Sequence, residues 1–267
     1  MKTLKNSLLL LSCLYIFYVG SAFSLPSAEE LIIAVNALDE GLQVTRNIHM
    51  KMIDRRGKER ERDTVSFRKY QGADKKSLIY YTSPANLKDT GFLTFDYQDE
   101  SVDDDQWLYL PAMRKVRRIS AADRGDYFLG TDLTYEDIKK EGKVALEDYR
   151  FTTLGEEVID GIKTFKVEAQ TKDKLIAKEL GHSKVIMWVD PEISMIRQSL
   201  FYDLNGNELK TLNATDIRQV DGIWTRHVLH VQNHKTGHQT IFTFSNVDYK
   251  TEVDDRRLNQ QSLRKGL

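Results

Sequence analysis

The sequence predicts a mainly β (α+β) fold, a strongly curved antiparallel sheet with a few helices against one face. Three observations carry this. Apolar and aromatic residues alternate with period two in successive runs between Val44 and Leu110. Turn dipeptides then recur about every fifteen residues from Asp190 to Gly237, which leaves long strands in sequential antiparallel order. Ahead of both stands one amphipathic helix that needs a surface to lie on. A sheet this large must curl, close or be covered.

Residues 1–24 read as a secretory signal peptide. Lys2 and Lys5 give a basic start, and Leu8 to Val19 run apolar apart from Ser12. Small residues follow, so that cleavage falls after Ser24 or after Ala22. The run is shorter than the roughly 20 residues a membrane span needs. A buried N-terminal helix or an uncleaved anchor is the competing reading. Leu10-Leu11-Ser12-Cys13 faintly resembles a lipoprotein-processing site, but the apolar run continues past it through Phe17.

Residues 25–267 read as one domain. A helix opens it, with Ser27 and Glu30 spaced as a capping box, an apolar stripe of Leu31, Ala34, Val35 and Leu38, and Gly41 as a stop. The period then changes to two. Val44, Ile48, Met50 and Met52 share a strand face that Arg46 interrupts, and Asp54 to Gly57 turn the chain. Strands follow at Glu59–Lys69, Ser77–Thr82, Phe92–Tyr97 and Trp107–Leu110, rich in the β-branched and aromatic residues that pleated surfaces favour. Residues 121–141 read as a loop with a short helix near its end. Asp160-Gly161, Asp190-Pro191, Asn205-Gly206, Asp221-Gly222 and Thr236-Gly237 then mark reversals between long strands. Residues 254–265 read as a terminal helix or tail.

Composition excludes several kinds of function. The single cysteine, Cys13, falls inside the leader, so the exported chain has no disulfide, thiolate nucleophile or cysteine metal ligand. Without Lys2 and Lys5 the 39 basic residues fall to 37, against 40 acidic ones. That balance does not suit a general nucleic-acid binder. No nucleotide-binding loop or nucleophile elbow occurs. Asp103-Asp104-Asp105 lacks the glycine and distal glutamate of a calcium loop and reads as a solvated turn. His230, His234 and His238 are spaced by four but lie on strand-like sequence, so no metal site is expected. No catalytic residue and no cofactor are expected.

Two stretches carry a family resemblance. They are Trp107 to Ile119 (WLYLPAMRKVRRI) and Phe128 to Asp137 (FLGTDLTYED). With them the chain resembles the LolA-like outer-membrane lipoprotein-sorting proteins of bacterial envelopes. The resemblance implies an unclosed half-barrel with lid helices over an apolar groove. It implies a carrier of acylated cargo, lipoprotein or lipid, in the periplasm of a Gram-negative bacterium. It also implies an inner-membrane transporter of the resistance-nodulation-division type as partner, with transient contact at the membrane surface. The chain is expected to be a monomer.

Alternation puts Val65, Phe67, Leu93, Phe95, Tyr97, Trp107 and Tyr109 on one apolar face, which by itself reads as core packed on the lid helix; the resemblance implies that they line the groove instead. An acyl chain in such a groove gains about 0.8 kcal/mol per buried methylene. Arg46 and Arg68, with the basic run Arg114, Lys115, Arg117 and Arg118, are nominated for headgroup or partner contact. For the basic run the competing reading is a solvated edge strand whose charges block pairing. Two other functions stay open: an envelope interaction or sensor module of the same fold without cargo, and a secreted hydrolase using a carboxylate pair.

Overall fold

The structure is a computed structural model that describes residues 25–99 and 101–267. The leader read over residues 1–24 lies outside the described residues. Helix α1 (Ala28–Asn36) comes first, then β1 (Gln43–Ile53), β2 (Glu59–Gln71), β3 (Asp74–Ser83), β4 (Gly91–Asp96), β5 (Asp105–Leu110) and β6 (Lys115–Arg118). Helix α2 (Tyr135–Lys140) precedes β7 (Tyr149–Ile159) and β8 (Ile162–Thr171). After α3 (Lys174–Leu180) run β9 (Lys184–Asp190), β10 (Met195–Tyr202), β11 (Glu208–Val220), β12 (Ile223–Asn233) and β13 (Gln239–Asp248), and α4 (Gln260–Lys265) ends the chain.

The thirteen strands among the described residues form one antiparallel sheet in the order β6-β5-β4-β3-β2-β1-β13-β12-β11-β10-β9-β8-β7. The chain starts at the centre, meanders out to β6, and returns from β7 to meet β1 again through β13. Every turn dipeptide named above joins neighbouring strands. β6 and β7 are consecutive in sequence but lie at opposite edges. Residues 119–148 must therefore cross from one edge to the other, and they do so over the concave face. Topology thus supplies the lid.

The sheet curls far enough for residues from β1, β2, β3 and from β7 through β13 to line one cavity. Register shifts at Thr45/Asn47, Asp63/Thr64, Thr153/Gly155, Ile196/Gln198 and Phe201/Tyr202 mark irregularities in the ladders. Such bulges bend strands and increase twist. The sheet does not close. Its edges stay free at β6, which is short and basic, and at β7, which carries Glu156 and Glu157. Charge on an exposed edge discourages pairing with another chain.

The concave face holds two apolar clusters. One joins Leu31, Ile32 and Val35 of α1 to Val167, Val185, Met187 and Phe201. The other joins Ile48, Met50, Tyr81 and Phe92 to Phe128, Leu133 and Tyr135 of the crossing segment. Phe128 is fully buried, with its ring 5.1 Å from Phe92 and 5.6 Å from Tyr135.

Helices are not confined to one face, as the sequence had suggested. A third cluster lies on the convex face, where Val253, Leu258 and Leu263 of the C-terminal segment cover Leu78, Tyr80, Leu93 and Trp107. Gly91 is required there, because a Cβ would stand 2.6 Å from Leu263 and 2.8 Å from Tyr80. The first helix also departs from expectation. Ser27 is its N-cap but makes no capping hydrogen bond, and Ile32 rather than Ala34 completes the buried stripe. The box that does form is in α2, where Thr134 Oγ1 accepts from Asp137 N and Asp137 accepts from Thr134 N. Among the described residues no helix is long and apolar enough to cross a membrane.

Candidate binding cavity

Between the two concave clusters lies a cavity of about 210 Å3. Its wall is apolar: Ile48, Met50, Val185, Met187, Ile196, Leu212, Leu229 and Phe242 from the sheet, and Leu133, Ile138 and Val144 from the crossing segment. Val185, Met187 and Phe242 are each at most 5 % exposed. A hole of about 150 Å3 already holds a benzene, while pockets for drug-sized ligands start near 300 Å3. A space of this size takes the end of one hydrocarbon chain.

The crossing segment is held over this cavity in two ways. Its first half is packed, through Phe128, Leu133 and Tyr135. From Asp132 onward charge adds to the packing of Ile138, Val144 and Leu146. Lys210 of β11, 1 % exposed, donates to Asp132 O at 3.1 Å and pairs with Asp137 at 2.5 Å. Asp132 also meets His238 Nδ1 and accepts from Thr240 Oγ1, each at 2.6 Å. Lys140 pairs with Asp96 at 2.9 Å, and Lys139 with Asp104. Burial would raise Asp96, but Lys75, Lys140 and Lys139 outweigh it and hold its carboxyl at about 2.

At the C-terminal end of α2 the charge becomes dense. Glu141 takes the C-cap in a left-handed conformation, φ 54°. Its carboxylate pairs with Arg46 of β1 and lies 3.5 Å from Arg68 Nε of β2. Its carbonyl accepts from Arg226 of β12. Arg68 also donates to the Glu40 carbonyl and pairs with the Glu40 carboxylate at 3.4 Å. Tyr70 Oη donates to Glu40 at 2.8 Å, and Lys143 stands 3.6 Å from the same carboxylate. Gly142 is needed above Arg226: its φ is +97°, and a Cβ there would collide with the guanidinium. Burial would raise Glu141, yet Arg46, Arg68, Lys75 and Arg226 hold it below the ordinary glutamate value. Burial pushes Arg226 down, and the Arg46 charge adds to that, against Glu40 and Glu141.

The other end of the cavity holds paired charge, with Glu136 3.0 Å from Lys139. Glu136 and Asp148 line it. Arg124 pairs with Asp148 at 3.4 Å and with Glu179 at 3.2 Å. His182 lies beside them, 2.8 Å from Tyr149 Oη through Nε2 and 3.2 Å from Leu180 O through Nδ1. The carbonyl fixes the proton on Nδ1, so Tyr149 donates to Nε2. Burial lowers His182 to about 4.

The residues nominated from sequence divide between the two faces. Arg46 and Arg68 line the cavity. Val65, Phe67, Leu93, Phe95, Tyr97, Trp107 and Tyr109 do not. Leu93 and Trp107 belong to the convex cluster, with Val65, Phe67, Phe95 and Tyr109 packed against it. Tyr97 stacks edge-on with Phe95 and donates to Asp105. The nominated residues do share one face, but it is the opposite one. The reason is chemical: the concave positions of β2 are Thr64, Ser66 and Arg68, all buried and polar, while its apolar residues point at the C-terminal segment.

Arg114, Lys115, Arg117 and Arg118 lie at the β6 edge, away from the cavity, with Arg117 paired to Asp123 and Arg118 to Asp105. The acidic run before β5 is not merely solvated, since Asp104 anchors Lys139 and accepts from Tyr97 N. The three histidines do not converge: His230 meets Gln239, His234 meets Thr211 and His238 meets Asp132.

Glu40, Glu141, Lys143 and Arg226 escaped the sequence reading. Arg226 has the opposite parity to Leu229 and Val231, so alternation hides it. Glu141 falls at the close of the segment read only as a loop with a short helix near its end, and Lys143 just beyond it. The usable signal was Glu141-Gly142, a charged residue and a glycine filling two consecutive positive-φ positions.

A family model described only as an uncharacterized protein matches residues 73–265. No curated protein matches the chain. A DUF1329 family protein from Desulfovibrio piger superposes with a TM-score of 0.81 at 28% identity, covering 88% of this chain and 97% of that one. A putative outer membrane lipoprotein-sorting protein domain from Vibrio parahaemolyticus gives 0.79 at 28%, with the same coverage. A LolA superfamily protein from Nitrosomonas europaea gives 0.66 at 18%, covering 89% of this chain and all of that one. The chain shares its overall fold with these proteins.

Proposed function

The chain belongs to this LolA-like family, and from that premise we propose that it is a periplasmic carrier that shields acyl chains in the cavity beneath residues 119–148. The observation that carries the reading is the space itself. A curled sheet of this size could fill its concavity with its own side chains, as half-buried sheets do. Here about 210 Å3 is left empty between two well-packed clusters.

The volume also bears on mechanism. At about 210 Å3 it admits part of one chain, so taking in a longer chain calls for the second half of the lid to rise. Phe128 and Tyr135 stay seated as the hinge side. Each methylene that enters contributes about 0.8 kcal/mol. Release follows when a partner binds the open form or the cargo more tightly. That partner is an inner-membrane transporter, met through the basic β6 edge. Residues 1–24 direct export and are removed. No chemical step is involved.

Mass spectrometry of an organic extract of the purified protein tests the reading. A stoichiometric acylated molecule is expected. An extract empty of lipid, together with a delipidated protein that binds no single-chain amphiphile, would overturn it.

A further inference from the structure

We infer that the cationic end of the cavity is a subsite for one anionic headgroup, a phosphate or carboxylate borne by an acyl chain, and that the Glu141 carboxylate holds its place while the lid is shut. The inference rests on the carrier reading and adds the chemical class of cargo.

Four cations, Arg46, Arg68, Arg226 and Lys143, meet only two carboxylates there, Glu40 and Glu141. They come from three strands and the lid loop, so no local helix-surface pattern explains their meeting. The excess is buried: the Arg68 side chain is 4 % exposed and that of Arg46 17 %. Arg68 Nε is buried without a hydrogen bond, its nearest carboxylate oxygen being Glu141 Oε2 at 3.5 Å. Buried donors of this kind are ordinarily satisfied.

Glu141 is carried by the lid. When the lid rises, Glu141 and Lys143 leave with it, and Glu40 alone faces three arginines. Uncompensated buried charge is costly, so the open form gains from any anion that replaces the departing carboxylate. Guanidinium forks from different directions suit the oxygens of a phosphate or carboxylate. At the far end the cations are already paired, Lys139 with Glu136 and Arg124 with Asp148 and Glu179, which favours the cargo's head at Arg226 and its chain along Met187 and Phe242. A triacylated lipoprotein anchor presents esters and an amide with no ionised group beside its chains. The charge pattern therefore favours an anionic amphiphile over a lipoprotein.

Trp224 lines the same end, so tryptophan fluorescence of the delipidated full chain reads the site. The probes are dodecyl phosphate, a dodecanoyl monoglyceride as its neutral counterpart, dodecyltrimethylammonium, and inorganic phosphate. Dodecyl phosphate should bind about ten- to a hundredfold more tightly than the monoglyceride, the range of hydrogen bonds to charged groups. E141Q should widen that ratio and R226M should narrow it toward one. R46M serves the same purpose should R226M fail to fold.

Equal affinity for anionic and neutral probes in the unaltered chain and in E141Q would overturn the headgroup subsite and leave the carrier reading standing. Tighter binding of dodecyltrimethylammonium would overturn it too. Inorganic phosphate binding as tightly as dodecyl phosphate would assign the cations to a free anion instead. Failure of every amphiphile to bind would overturn the carrier reading itself.

Discussion

At the scale of single residues, a neutral histidine and a polar floor shape this cavity as much as its apolar wall does. His182 is held neutral by burial, with an ordinary value near 6.5 lowered to about 4. In the unfolded chain it gains a proton near pH 6.5, and in the folded chain only near 4. Its contribution to stability is therefore complete above pH 6.5 and declines as pH falls from 6.5 toward 4. Denaturant midpoints should fall across that window. His182→Gln keeps an acceptor for Tyr149 and has no proton to gain, so its midpoints should fall less steeply there. A parallel decline in both chains would remove His182 as the cause. Arg46 illustrates the opposite case. As an arginine breaking an apolar strand face it was visible in sequence, whereas Arg226 lay on the wrong parity and surfaced only with coordinates.

At the scale of elements, the two faces of β2 to β5 carry different duties. The convex face is closed by the chain's own C-terminal segment, with Leu263 fully buried on Gly91 and Tyr80 Oη donating to Ser262 O at 2.6 Å. Leu263→Ala should cost about 2–5 kcal/mol of stability, as buried leucine truncations do, and leave amphiphile affinity unchanged. Met187→Glu, on the concave wall, should weaken binding at least tenfold, about 1.4 kcal/mol, because it places a charge where the chain lies. Calorimetric melting and fluorescence titration of both variants separate the faces. The reverse pattern would return the groove to Phe67 and Trp107. Strand existence and the turns between strands were legible from period and dipeptide chemistry. The identity of the cavity face was not, because the C-terminal segment gives the outer face the apolar alternation that ordinarily marks an interior.

At the scale of the whole molecule, a connection between opposite edges of one sheet becomes a lid. Residues 119–148 cannot reach β7 without spanning the concavity, and from Asp132 onward they are fastened by Lys210, His238, Arg46, Arg68 and Arg226 as well as by the packing of Ile138, Val144 and Leu146. Loading an amphiphile should raise hydrogen exchange over residues 136–145 while Phe128 to Tyr135 stay protected, a segmental opening of low local stability. Uniform protection over the whole crossing segment on loading would contradict a hinged lid. The sequence by itself determined the antiparallel meander, its turns, the family mark around Trp107 and Phe128, and the want of a thiol after Cys13, since these depend on neighbours in the chain. Tertiary structure alone decided which face encloses the cavity and which distant charges meet there. A one-residue change of parity exchanges the faces of a strand, and the partners of Glu141 come from positions up to 95 residues away, a separation that no local pattern encodes.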